Sequence, residues 1–384
     1  MGNDIFEITL NSIKLVLVFL LMVQAVPILV WLERRGSAFI QNRFGPNRVG
    51  PLGLLQLLAD AVKFLTKEDF APDKAVRQLC YAAPVFALIP ATLAYAAIPM
   101  SIPFTFPAVE LFGSTWGPYQ LRAQGYEIGV GIVFILGVSS LAAYTILMAG
   151  WGSGSKFSLL GALRASAQVI SYELALGLSI VGVILMYGTF NLTDMIQAQQ
   201  GPLQFVAFGH TVTSTLDWIP NWGIFYQPLG FILFFAAAFA ESNRLPFDLA
   251  EGEAELVAGF HTEYGGFKML MFFIGEYGHM MIASGLATTF FFGGYGIPGL
   301  TVQEIQQALL GWGFSEIGAQ GMNALIHFIS YNVKFAIFLW IFIHVRWTLP
   351  RFRYDQLMDL GWKTMLPWAL ANTIATAAVI YAVS

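Results

Sequence analysis

Ile13-Lys-Leu-Val-Leu-Val-Phe-Leu-Leu-Met22-Val-Gln-Ala-Val-Pro-Ile-Leu-Val-Trp31, running into Leu32-Glu33-Arg34-Arg35, is the stretch from which the fold class follows. As an α-helix it rises roughly 28 Å at 1.5 Å per residue, close to the thickness of a bilayer's hydrocarbon. Lys14 is its only charge before Glu33. A secretory leader carries basic residues ahead of a shorter apolar run. Here Asp4 and Glu7 come first and no small-x-small cleavage pattern precedes Glu33, so the run reads as a retained transmembrane helix.

Composition extends that reading to the whole chain. Of 384 residues, 57% are hydrophobic and 11% charged, and mean hydropathy is +0.66. A water-facing surface of ordinary charge density cannot be assembled from this material. Further apolar runs near 79–101, 127–150, 164–188, 224–243, 267–292, 324–347 and 364–383 predict about eight transmembrane helices in one integral membrane domain over 1–384. The expected fold class is therefore an all-α, polytopic membrane protein.

Orientation follows from the basic residues. All 19 lysines and arginines except Lys14, Arg122 and Lys334 fall on one face once the first connection is placed inside, while 189–223 and 293–323 carry none. Both termini are then expected on the periplasmic side. The first connection, 33–78, is a cytoplasmic loop. Within it Gln56, Asp60, Lys63 and Lys67 form one helical stripe, which predicts an amphipathic helix lying in the interface after the turn Gly45-Pro-Asn-Arg-Val-Gly-Pro51.

Several function classes are excluded. Net charge is −4 and no basic cluster interleaves with aromatics, so nucleic acid is not a partner. One cysteine, Cys80, supplies neither a disulfide nor cluster thiolates, and the five histidines are scattered, so no metal site is expected. Any redox metal must belong to a partner. The 34 phenylalanines read as packing or lipid-facing residues.

Candidate chemistry lies in the carboxylates. The cytoplasmic loop 241–266 sets Glu241, Asp248, Glu251, Glu253, Glu255 and Glu263 against Arg244 alone, with apolar residues interrupting the acids throughout. A loop of that pattern folds back on protein or bilayer, where desolvated carboxyls rise toward proton-exchange range. Glu276 is expected roughly 13 Å into the sixth helix, near Tyr277 and His279, and Glu173 near the inner end of the fourth. Acids at membrane depth mark an ion or proton path. Glu127 has Arg122 nearby as a pairing partner. Lys334, deep in the seventh helix, has no acid within four positions and needs a partner from another helix.

At this point the motifs match a known family. Trp31 to Lys63, Arg164-Ala-Ser-Ala-Gln168-Val-Ile-Ser-Tyr-Glu173, the loop 241–264, Gly275-Glu276-Tyr277 and Pro350-Arg-Phe-Arg353-Tyr-Asp355-Gln-Leu-Met358 resemble, in order and spacing, the H subunit family of bacterial NADH:quinone oxidoreductase (respiratory complex I). That family is the counterpart of mitochondrial NADH dehydrogenase subunit 1. The match is weak in 102–126, 189–223 and the tip Tyr264-Gly265-Gly266, where relatives often carry a serine.

The resemblance implies a subunit, inactive alone, of a proton-translocating enzyme in the bacterial inner membrane. A quinone (ubiquinone or menaquinone) is then the substrate, with NADH, FMN and iron–sulfur clusters held only by partner subunits. Arg34, Arg35, Arg43, Phe44, Asp60 and Lys63 are implied to line or gate the quinone chamber. Glu241, Glu251, Glu253, Glu255 and Glu263 are implied to begin a proton path that Glu173 and Glu276 extend. Implied partners are hydrophilic-arm subunits beside the terminal cluster, small and antiporter-like membrane subunits, and lipids. Two alternatives stand beside this reading: a stand-alone proton-coupled transporter, and the related membrane subunit of an energy-converting hydrogenase.

Overall fold

A computed structural model describes residues 2–107, 109–111, 114–116, 118–207, 210–213, 219–249 and 257–383. Helix dominates, and the described strands form three short antiparallel hairpins between helices, pairing Phe104–Phe106 with Tyr119–Leu121, Val109–Leu111 with Ser114–Trp116, and Gln204–Ala207 with His210–Thr213. The chain is an all-α polytopic membrane protein. Among the described residues seven helices are long and apolar enough to cross a bilayer. In chain order the apolar helices are Gly2–Ile40, Arg77–Ala96, Gly131–Gly152, Lys156–Tyr187, Pro228–Glu241, Gly266–Phe291, Glu316–Thr348 and the helix that ends in Leu366–Val383.

Several of these differ from expectation, three of them in ways that bear on the site. The fifth is only 14 residues long, about 21 Å, because Pro228 opens it and Glu241 ends its last turn. The third is two helices, Gly131–Ser139 and Leu141–Gly152, joined at Ser140. The fourth starts eight residues early, at Lys156. Arg164, Gln168 and Glu173 therefore lie along one continuous helix, where Gln168 Nε2 donates to the carbonyls of Ala240 (2.8 Å) and Phe247 (2.6 Å) and the Arg164 guanidinium lies 5.6 Å from the Tyr354 ring.

Burial ranks the helices. The most apolar window of the sixth is 67% buried, against 17% in the first and the eighth, so the sixth is the axis and those two turn most of their surface outward. Close approach at the axis requires small residues. A Cβ on Gly278 would lie 2.7 Å from Met22 Cε and 2.9 Å from Ala91 Cβ, so the first and second helices both press against this turn, next to Glu276 and Tyr277. Phenylalanines fill the contact among the fifth, sixth and seventh helices, with Phe239 and Phe342 rings 4.1 Å apart.

The first helix runs past Trp31 to Ile40 before the Pro/Gly turn. Gly53 there has φ +73°, and a Cβ would meet the Pro46 carbonyl oxygen at 2.3 Å, so only glycine fits. Trp31 Nε1 and Arg35 Nη1 each donate to the Leu52 carbonyl at 3.2 Å. These bonds hold the turn against the first helix and set where the surface helix Gln56–Thr66 starts. The charged ends of the helices gather at one end of the bundle, called here the basic end.

Lys334 is satisfied at the opposite end. Its ammonium donates to the carbonyls of Phe292 (2.8 Å), Gly294 (3.0 Å) and Gly296 (2.6 Å) and lies 4.8 Å from the Trp222 ring. The partner is the C-terminus of the sixth helix, where a cation complements the helix dipole. Glu127 pairs with Arg122.

Candidate functional site

A cavity of about 690 Å³ opens at the basic end between four walls. The first helix contributes Val23, Gln24, Val26, Pro27, Val30, Glu33 and Arg34, and the surface helix adds Leu57, Leu58, Asp60, Ala61 and Phe64. Asn243, Arg244, Leu245 and Asp248 come from the segment after the fifth helix. The sixth and seventh helices close it with Leu270, Phe273, Ile274, Glu276, Tyr277, Arg346 and Trp347. Such a volume, mostly apolar with a few convergent polar groups, is the usual form of a small-molecule site.

Its polar groups pair across long sequence distances. Glu33, with its side chain 8% exposed, accepts from Arg346 Nη1 (2.5 Å), Arg244 Nη1 (3.1 Å) and Tyr277 Oη (2.6 Å). The Arg244 guanidinium also lies 4.0 Å from the Tyr277 ring. Burial works against the charge on Arg244, but Tyr277, Glu33 and Glu276 around it hold that charge more firmly than in water. Arg34 donates to Asp60 at 2.6 Å, Gln56 donates to the same carboxylate at 3.2 Å, and Lys63 lies 3.7 Å away. Asp248 is buried and receives Arg351 at 2.9 Å.

Glu276 belongs to two cavities. It lines the large one and a second of about 40 Å³ that also touches Glu241, Asn243, His279 and Thr145. His261 Nε2 is 3.6 Å from its carboxylate. Glu241 is half-buried, within hydrogen-bonding reach of Ser139 and electrostatic reach of Glu173. Carboxylates therefore succeed one another from Glu33 and Asp248 at the large cavity through Glu276 and Glu241 to Glu173.

The structure sorts the sequence-derived residues. Arg34, Asp60 and Glu276 stand in the wall of the large cavity, and Glu241 in that of the small one. Lys63 is outside the lining, paired with Asp60 and 4.8 Å over the Phe64 ring. Arg35 is spent on Leu52 and on the Trp31 ring, and Arg43 donates to Gln41 Oε1 at 2.6 Å. Phe44 is 92% exposed. Glu263 ends the 3-10 turn Gly259–Glu263, half-buried and away from both cavities. Glu251, Glu253 and Glu255 lie outside the described residues.

Sequence reasoning passed over Glu33, Asp248, Tyr277 and Arg346 as site residues and saw in Arg244 only an outnumbered base. A signal was available for one of them: Glu33 is an acid at the end of an apolar span, directly before two arginines. Its partners come from far along the chain, which a one-dimensional pattern cannot pair. Among the described residues no cluster of histidine, cysteine, aspartate and glutamate is arranged to hold a metal.

Comparison with known proteins agrees along the whole chain. The family model described as NADH dehydrogenase matches residues 13–377. The H subunit of NADH-quinone oxidoreductase from Bdellovibrio bacteriovorus is 72% identical over 384 residues, covering 100% of this chain and 99% of its own length. The H 1 subunit of the Geobacter metallireducens enzyme is 42% identical over 97% of both chains. The H subunit of the Leptospira biflexa enzyme is 42% identical over 94% of this chain and 91% of its own.

Proposed function

Because the chain belongs to the NADH dehydrogenase family, as a membrane subunit of NADH-quinone oxidoreductase, we propose that the large cavity is its quinone chamber and that Glu276 passes the effect of quinone chemistry on to the carboxylates behind it. One observation carries this reading: Glu276 is a wall of both the large cavity and the small one that leads to Glu241.

The physical chemistry is direct. The apolar wall from Val23, Val26, Leu57, Leu58 and Ile274 suits an isoprenoid tail, and the pairs Arg34–Asp60 and Arg346–Glu33–Arg244 offer donors to a polar head group. Reducing a quinone takes two electrons and two protons. The electrons come from a cluster in partner subunits. Transient negative charge on the substrate draws the arginines toward it, loosens their hold on Glu33 and Asp60, and raises the proton affinity of those acids. Glu276, within electrostatic reach of Arg244, senses that rearrangement and exchanges protons with Glu241 and Glu173. Glu241, Glu251, Glu253, Glu255 and Glu263 begin the proton path, and Arg35, Arg43, Phe44 and Lys63 line or gate the chamber.

In this reading the basic end faces the cytoplasm of a bacterium, across its inner membrane, with both termini periplasmic. The segments 33–78 and 241–266 are the cytoplasmic loops against which the hydrophilic-arm subunits seat, and NADH, FMN and iron–sulfur clusters stay in those partners. Other membrane subunits and lipids surround the exposed apolar helices. The substrate in this reading is a quinone, ubiquinone or menaquinone.

Photolabelling of the assembled complex with an azido-quinone tests the chamber. Label is expected on 23–34, 54–64 and 270–277, and to be lost under excess unlabelled quinone. Competed label confined to other segments overturns the assignment. A lone chain that moves a solute in liposomes supports the transporter alternative, and co-purifying partners that evolve hydrogen support the hydrogenase one.

A further inference from the structure

Lys268 sits in the first turn of the sixth helix, where the positive end of the helix dipole disfavours a cation. It is also buried, with its side chain 6% exposed. A charge placed against both local preferences is retained for a tertiary reason. Its ammonium lies 2.8 Å from Asp69 Oδ1, donates to the Phe70 carbonyl at 3.1 Å, and rests 4.2 Å from the ring of Tyr81 on the second helix. The Lys268 bond holds the Asp69 carboxyl below the usual carboxylate range. Asp69 and Phe70 follow directly on the surface helix, which ends at Thr66. Gly266, at the start of the sixth helix, abuts the same segment: a Cβ there would lie 3.4 Å from the Lys67 carbonyl and 3.6 Å from that of Phe64.

These contacts join two walls of the large cavity at one edge. Phe64 on the surface helix and Leu270 and Phe273 on the sixth helix line the cavity from either side of this joint. The polar pairs, Arg34–Asp60 and Arg346–Glu33, belong to other parts of the wall.

We propose that Lys268 is a positioning residue that clasps the surface helix to the sixth helix and so fixes the gap between Phe64 and Leu270/Phe273 through which the quinone's apolar tail passes. The inference rests on the chamber reading above. Without the clasp the surface helix keeps its Arg34 anchor at Asp60 but loses its hold at the far end. The tail-gripping walls separate while the head-group pairs stay in place. Loss of contact made equally in ground and transition states raises KM without lowering kcat.

The test uses the assembled complex in native membranes, with NADH as donor and two acceptors, a single-isoprenoid quinone and a decyl-tailed quinone. Lys268→Met is expected to raise KM for the decyl-tailed quinone about fivefold, with less change for the short-tailed one and kcat preserved. Lys268→Arg, which keeps the charge and the donors, restores the native KM. Asp69→Ala shifts KM in the same direction by less, since the Phe70 and Tyr81 contacts remain. Native KM for both tails in Lys268→Met overturns the clasp, and so does an equal fall in kcat for both tails at unchanged KM. If Lys268→Met fails to assemble, the half-exposed Asp69→Ala decides, and a native KM there overturns it. Asp60→Asn separates the two readings: altered quinone kinetics in Asp60→Asn with native Lys268 and Asp69 variants sinks the clasp alone. Native kinetics in all three sinks the chamber with it.

Discussion

The bundle holds buried or half-buried cations at both ends, and the two ends neutralise them differently. At the basic end Arg244 and Arg346 share Glu33, across 211 and 313 positions of sequence. At the opposite end Lys334 bonds to backbone carbonyls, 38 to 42 positions away, beside the Trp222 ring, and has no acid partner among the described residues. Carbonyl dipoles at a helix terminus neither titrate nor move. A carboxylate shared by two arginines beside a cavity can exchange a proton, change partners, or lose one arginine to a charged ligand. If the large cavity is the quinone chamber, one end of the bundle responds to substrate and the other stays fixed.

The largest expected effect comes from the shared acid. Glu33→Gln leaves the buried Arg244 and the partly exposed Arg346 without their counter-charge, and breaking the buried pair is a change of the kind that costs about 3–5 kcal/mol. Quinone reduction is expected to fall by about tenfold or more, with NADH oxidation by a hydrophilic artificial acceptor intact in whatever complex assembles. Native quinone kinetics in this variant would break the distinction between the ends. Lys334→Met comes next. It strands three carbonyl oxygens at the end of the sixth helix, a cost of about 1–3 kcal/mol, expected as a lower Tm of the complex with KM for quinone unchanged. A quinone defect in Lys334→Met beyond its loss of stability would show that the opposite end also takes part in the chemistry.

Glu276 and Glu316 sharpen the comparison further. Glu276 lines both cavities, whereas Glu316 opens the seventh helix on the exposed opposite side. Proton movement per NADH oxidised, followed by dye quenching in inverted vesicles, is expected to drop in Glu276→Gln and to stay native in Glu316→Gln. Equal effects count against the path through Glu276.

The same contrast explains what could be read from the sequence. Some features of the opposite end are local, so pattern reaches them: Arg122 and Glu127 are five residues apart and pair as neighbours. Apolar runs of membrane length reveal the helices, because a span is a one-dimensional property. The basic-end cluster is another matter. Glu33, Arg244, Tyr277 and Arg346 lie on four separate elements, and nothing in the neighbourhood of Glu33 announces Arg346. Asp60 and Arg34 come within reach through a family resemblance, not through spacing. Lys334 shows the limit from the other side. Its need for a distant partner is legible, but the partner is backbone, and backbone carbonyls leave no mark on composition.

The smallest expected effect lies in the helix Val302–Gly311, whose start is held by a capping box. Thr301 Oγ1 accepts from the Glu304 backbone N–H at 3.3 Å, and the Glu304 carboxylate accepts from the Thr301 N–H at 2.7 Å. The Thr301 backbone bond holds the Glu304 carboxyl below its ordinary value of 4.5. A carboxyl depressed in the folded state contributes stability above its unfolded pKa and loses it as pH falls through the folded one. Amide exchange across 302–305, corrected for its intrinsic pH dependence, is therefore expected to be slow at neutral pH and to quicken only below the ordinary carboxylate range. Glu304→Ala removes that pH dependence and speeds exchange slightly at neutral pH. Quinone kinetics in Glu304→Ala stay native, because both bonds of the capping box run between Thr301 and Glu304. A change there would mean that even the local end of the molecule is coupled to the chamber.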